Sequence, residues 1–189
     1  NTPDILHEYL QIGGPPAFKI RLVLAATLSP SYGIYSGYEL CENVPLRPDS
    51  EEYLDSEKYQ LRWRDYHAPG NLNEDIRGLN RIRRENPALQ RLDNLSFPQS
   101  SNEQILWYRK SAPEGEIFVA VNLDPAAPQE ANVQVPVWQL GLSHEQTYEV
   151  EDLLTGERHR WRGEWNWVRL DPALAVAHVF RLRGTRGPA

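Results

Sequence analysis

A carboxylate stands near the start of this chain, in Asn1-Thr2-Pro3-Asp4, set behind a proline and followed by the apolar pair Ile5-Leu6. An aspartate so placed commonly caps or closes a turn, because its short side chain bonds nearby backbone N–H groups. On spacing alone that structural reading of Asp4 is favoured. A catalytic reading gains weight because a helix and then a strand follow, the order in which barrels of alternating strands and helices present reactive groups at strand ends. Arg81, Arg83 and Arg84 could hold an anion, but they close a helical run, where cations complement the macrodipole. Cys41, the single cysteine, reads as a small buried side chain rather than a nucleophile. Six Trp and nine Tyr are a heavy aromatic load. Trp161, Trp165 and Trp167 could stack on sugar faces, although aromatic side chains more commonly fill cores.

The elements that would position these groups follow in order. Residues Ile5 to Ile12 read as a short irregular or helical segment ending at Gly13-Gly14-Pro15-Pro16, a stop that also suits the first turn of a new helix. From Phe18 to Leu28 the pattern is a helix, polar only at Lys19 and Arg21, which must be covered on most sides. Ser29-Pro30 ends it, and Tyr32 to Tyr38 read as a short buried strand, giving the βαβ order of a parallel sheet. Cys41 to Asn71 form a long charged loop in which Tyr53, Tyr59, Trp63 and Tyr66 argue for order. A second helix spans about Asn73 to Asn86, with Asn73 as N-cap, Ile76, Leu79 and Ile82 as its apolar stripe, and Pro87 as its stop.

Beyond Ala88 the periodicity changes. Strand-like runs occupy Ile105 to Arg109, Ile117 to Leu123, Ala131 to Val137, Thr147 to Asp152, Glu157 to Trp161, Trp165 to Leu170 and Val176 to Leu182, with turn signals between them. Short strands at such spacing indicate an antiparallel sandwich. An α/β part therefore gives way to an all-β part near residue 88.

Composition narrows the classes. Lys plus Arg number 20 against 26 Asp plus Glu, a formal net charge of -6, which gives no electrostatic case for nucleic acid or an anionic membrane surface as partner. No run approaches the roughly 20 apolar residues of a membrane span. One cysteine cannot form an internal disulfide and is compatible with a reducing compartment. The chain contains no Met, even at position 1, and reads as a piece of a longer protein.

Helix, strand, long aromatic loop, helix and sandwich together resemble the end of an α-amylase superfamily enzyme of glycoside hydrolase family 13. Asn-Thr-Pro-Asp-Ile-Leu-His-Glu, Leu-Ala-Ala-Thr-Leu-Ser-Pro with Tyr-Gly-Ile-Tyr-Ser-Gly-Tyr-Glu-Leu-Cys-Glu-Asn-Val, and the stretch from Ser50 to Tyr59 narrow the likeness to the GlgE-type maltosyltransferases. The resemblance implies the last part of a (β/α)8 barrel over 1–87 and an antiparallel C-terminal β-sandwich domain over 88–189. It implies transfer of maltosyl units from α-maltose 1-phosphate to an α-1,4-glucan with retention, without metal or cofactor, by a cytoplasmic homodimer. Asp4 matches the family's transition-state-stabilising carboxylate, and Lys58 and Tyr59 match residues that hold the donor's maltosyl unit. Pro3 stands where most amylase relatives have His, which argues against an ordinary amylase. Without the resemblance, Lys58 would be read as pairing with neighbouring acids on a solvated loop. The nucleophile and acid/base of the family lie upstream of Asn1, so the resemblance also implies that this stretch needs the N-terminal part of the same polypeptide for activity. The alternatives are a related glycosidase or transglycosylase acting on trehalose or maltodextrin, and a non-catalytic glucan-binding or assembly piece.

Overall fold

The computed structural model describes residues 1–57 and 61–183. Its first long element, α1, runs Glu8–Leu28 with a kink at Gly14 (φ 61°, ψ -165°), followed by Pro15 and Pro16. Only glycine takes that conformation readily, and the prolines cannot donate back across it, so two helical pieces meet at an angle. The second piece buries Ala17, Phe18, Ile20, Leu22, Val23 and Ala26, the wide apolar surface its sequence demanded.

Tyr32 to Tyr38, expected as a buried strand, joins no sheet, and no strand end lies at Asp4. A parallel strand takes its hydrogen bonds from neighbours on both sides, and the described residues supply none here. The segment instead turns at Gly37 (φ 95°) into a short 3-10 turn over Tyr38–Leu40. The long loop then leads to α2, Asn73–Glu85. Asn73 is not the cap. Asn71 Oδ1 accepts from the Asn73 N–H at 3.0 Å, while the Asn73 amide donates to the Tyr66 carbonyl at 2.7 Å. Among the three arginines, Arg83 donates to the carbonyls of Ala26, Ser29 (2.8 Å) and Pro30 (2.7 Å), so α2 satisfies the open C-terminus of α1.

Eight strands follow among the described residues: β1 (Leu95–Ser96), β2 (Ile105–Ala112), β3 (Gly115–Asn122), β4 (Gln129–Gln134), β5 (Thr147–Asp152), β6 (Arg158–Arg162), β7 (Trp165–Leu170) and β8 (Ala177–Arg183). All pairings are antiparallel, in a six-stranded sheet ordered β1-β2-β3-β8-β5-β6 and a two-stranded sheet of β4 and β7. β1 has only two residues and carries no periodicity that sequence reading could find. β4 stops three residues short of Val137, because Pro136 has no N–H for a ladder and a 3-10 turn over Val137–Leu140 begins there.

The chain forms three layers. Along β3, Ile117, Val119 and Val121 point to a core shared with Phe18, Leu22, Leu79 and Tyr108, while Phe118 and Ala120 point to a second core with Trp107, Val133, Val168 and Leu170. The two-residue alternation of a strand divides these sets. The six-stranded sheet is thus buried on both faces, by the helices on one side and by β4 and β7 on the other. The helical and β parts share one continuous core across residue 88. Among the described residues, no helix is long and apolar enough to cross a membrane.

Candidate functional site

Asp4 lies exposed at the tip of a tight turn. Thr2 and Ile5 close that turn through a pair of backbone hydrogen bonds, 3.0 and 3.2 Å, and the Asp4 N–H donates to Thr2 Oγ1 at 3.3 Å. Pro3 suits such a turn because its ring presets the backbone. Immediately after it, the fully buried Leu6 anchors the chain and donates its N–H to the Glu51 carbonyl at 2.5 Å.

The long loop returns to this corner and braces it. Its two arms pair through Leu46 N–H to the Glu52 carbonyl (2.7 Å) and Leu54 N–H to the Val44 carbonyl (3.0 Å). Gln11 donates one amide to the carbonyls of Leu6 (2.8 Å) and Ser50 (2.9 Å), and Asn43 donates to the Gln11 carbonyl at 2.9 Å. Tyr53, nearly buried, accepts from the Asn1 amide and lies 5.8 Å from the ring of Tyr35. Burial pushes the Tyr53 hydroxyl up to about 12, so it acts as a neutral hydrogen-bonding group. Ser56 Oγ donates to the Pro3 carbonyl at 3.4 Å, which brings the loop against the residue before Asp4.

Lys58 and Tyr59, the other expected site residues, lie outside the described residues. What holds the chain on either side of them is an ion cluster that sequence reading missed. Arg64, its side chain 3% exposed, makes two bonds to the Glu42 carboxylate at 2.9 and 3.2 Å and stands 2.9 Å from Glu57. Arg62 lies 3.6 Å from Glu42. Glu42 is at the start of the loop and Glu57 directly precedes Lys58, so one guanidinium ties both arms. Gly37 makes room for this, since a Cβ there would come 2.2 Å from Glu42 Oε2. In sequence these residues are simply part of the long charged loop, and nothing in their spacing marks which acids meet Arg64.

The remaining candidates separate. Cys41 is half-buried, and burial pushes its thiol up to about 11, the opposite of what a nucleophile needs. Arg83 is a helix-end cap. Trp161 is buried against Phe180 at 4.9 Å, whereas Trp165 and Trp167 are 46% and 57% exposed. A cavity of about 620 Å³ lies between α1, α2 and the turns around residues 153–155 and 172–177, lined by Leu22, Val23, Leu79 and Ile82, and Asp4 does not line it. Among the described residues, no three His, Cys, Asp or Glu side chains gather as a metal site. A carboxylate held like Asp4 can accept from sugar hydroxyls and favour a developing positive charge. Retaining displacement at a sugar carbon further requires a nucleophile and an acid/base.

Comparison with known proteins adds sequence to this geometry. Residues 97–182 match the family described as GLGE, C-terminal. The chain is 54% identical over 187 residues to α-1,4-glucan:maltose-1-phosphate maltosyltransferase 2 of Streptomyces coelicolor, covering 97% of this chain and 28% of that protein. It is 49% identical over 188 residues to the corresponding enzyme of Corynebacterium glutamicum, again covering 28% of it. The chain therefore spans a little over a quarter of the relatives it matches. In fold it is similar to an α-amylase from Geobacillus thermoleovorans complexed with acarbose (TM-score 0.67, 16% identity, 97% of this chain and 38% of that one). It is also similar to AmyP in complex with maltose (TM-score 0.64, 15% identity, 100% of this chain and 40% of that one).

Proposed function

From a chain whose sequence is that of the C-terminal part of a GlgE-type maltosyltransferase, we propose that the whole protein transfers maltosyl units from α-maltose 1-phosphate to the non-reducing end of an α-1,4-glucan. The observation that carries the reading is the 54% identity over nearly the full chain to an enzyme named for that donor and acceptor. On this reading residues 1–87 are the last part of a (β/α)8 barrel and 88–189 the C-terminal β-sandwich domain, in a cytoplasmic homodimer. The amylase-like fold supports the barrel assignment, with Tyr32 to Tyr38 taking strand neighbours from the rest of the barrel.

Transfer with retention takes two displacements. A carboxylate outside this chain attacks the anomeric carbon as the bond to phosphate oxygen breaks and phosphate leaves. The acceptor hydroxyl then attacks the glycosyl-enzyme ester, and a second carboxylate takes its proton. Asp4 is the third carboxylate, binding sugar hydroxyls and lowering the energy of the positively charged transition state. Lys58 and Tyr59 hold the maltosyl unit, the ammonium and phenol through hydrogen bonds and the ring against a sugar face. The braced turn and the Arg64 cluster keep the two halves of this site in register.

Phosphate release from α-maltose 1-phosphate with a maltooligosaccharide acceptor, measured on the full-length protein, tests the proposal. Release with glucan lengthening is expected, and Asp4→Asn should lower kcat by about 100-fold or more while the protein stays folded. No release from the folded parent overturns the assignment.

A further inference from the structure

We propose that the outer face of the β4 and β7 sheet, centred on Trp165 and Trp167, is a binding platform for an α-glucan chain. In β7 every second residue is buried, which leaves Trp165, Trp167 and Arg169 on the outside. The register sets Gln134 beside Trp165, Asn132 beside Trp167 and Glu130 beside Arg169. The two indoles therefore stand on one face, about 6.7 Å apart along the strand, with uncharged amides next to them.

Exposed single tryptophans are ordinary, but two on one face of a short sheet are not. The tryptophans of the six-stranded sheet beneath are treated differently: Trp107 is buried and donates its indole N–H to the Gln134 carbonyl at 2.7 Å, and Trp161 is buried near it, while Trp138, in the turn after β4, is exposed like the pair. The strand alternation that packs Val168 and Leu170 inward puts Trp165 and Trp167 out.

The chemistry of the face selects its occupant. Among the described residues, its one cation, Arg169, stands opposite Glu130 in register and 3.5 Å from Asp171, and Glu164 adds a carboxylate beside Gln134, so an anionic polymer finds no surplus of positive charge. Six-residue strands give a face about 20 Å long and two strands wide, short of the roughly 800 Å² per partner of a stable protein interface. An elongated, neutral, polyhydroxylated ligand satisfies both limits. Indole faces cover the apolar side of sugar rings, and Asn132, with Gln134 held in place by Glu164 (2.6 Å), offers amides for hydroxyls. The choice of an α-glucan among such ligands rests on the proposed function. Binding here would hold the polymer to the enzyme that extends it.

The test is native-gel retardation of the full-length protein in glycogen, with hydroxyethyl cellulose as control, for the parent and the Trp165→Ala/Trp167→Ala double variant. Retardation by glycogen only, weakened about tenfold in the variant, is expected. Phosphate release with a short maltooligosaccharide should not change, and Trp165→Phe/Trp167→Phe should restore much of the binding. Equal retardation of a folded double variant overturns the platform, as does an unretarded parent. Dissociation of an oligomer in the variant without loss of retardation overturns it in favour of a subunit contact. If glycogen binding depends on the two tryptophans but no phosphate is released, the platform stands and the maltosyltransferase reading falls.

Discussion

Arg64 grips Glu42 through two hydrogen bonds, 2.9 and 3.2 Å long, across 22 residues of loop, and the same guanidinium reaches Glu57. Burial works against the charge of Arg64, and its two acids outweigh that penalty. Glu42→Gln removes the charge that compensates most of it. The expected cost is about 2 kcal/mol of unfolding free energy, since Glu42 itself keeps some solvent contact. On the proposed maltosyltransferase reading, KM of the full-length protein for α-maltose 1-phosphate should rise more than kcat falls, because the loop leading to Lys58 loses its tie. Denaturant unfolding and steady-state kinetics check both.

Gly37 tests the same cluster from the backbone side. Its φ of 95° and the 2.2 Å approach of Glu42 leave no space for a methyl group. Gly37→Ala should destabilise by about 1–3 kcal/mol. Adding Glu42→Gln should cost less than the sum of the two single changes, which a double-mutant cycle would measure.

Lys110 is fully buried, and its ammonium donates to the carbonyls of Arg91 (2.5 Å) and Leu28 (3.4 Å). Burial, with Arg83 nearby, holds its pKa below the usual lysine value. The unfolded chain therefore binds more protons than the folded one between that lowered value and about 10.4, and stability from this residue rises with pH in that window. Lys110→Met should abolish the rise. The comparison must be made as a difference between the two proteins, because Cys41, pushed up to about 11 by burial, acts in the opposite sense within the same range. Thermal unfolding of both proteins from pH 8 to 10 reads the effect.

Asp152 is sealed at the start of the β5–β6 turn, accepting from His178 Nδ1 (2.9 Å) and from the N–H groups of Val179 and Leu154 (both 3.1 Å). Burial pushes its carboxyl up, but these bonds outweigh it and leave the pKa below the usual value. Its contribution is present above the unfolded value near 3.9 and is lost as pH falls through the folded one. Asp152→Asn should cost about 2 kcal/mol at pH 7 and flatten acid unfolding below pH 4. A circular dichroism titration of both proteins would show it.

Much of this architecture was legible in the residues themselves. Alternation in Trp165 to Leu170 and the flanking turn signals at Thr155-Gly156 and Asp171-Pro172 place β5 and β7 at their observed bounds, and Pro87 marks the end of α2. Period and backbone chemistry are local properties, so they can be read without knowing what packs where. The motif around Asp4 likewise pointed to its family before any coordinates.

Contacts between distant segments decided the rest. Tyr32 to Tyr38 has strand composition, but a strand exists only where neighbours complete its hydrogen bonds. Trp161 and Trp165 differ by four residues and look alike in sequence, yet the turn at Gly163 sends β6 and β7 into different sheets, burying one and exposing the other. Nothing local to Arg83 or Lys110 shows that the open carbonyls at the end of α1 are brought to both of them. Arg64 reads as one charge in a solvated loop until folding closes that loop on Glu42 and Glu57. In each case the deciding partner lies far along the chain, and only tertiary packing sets that distance.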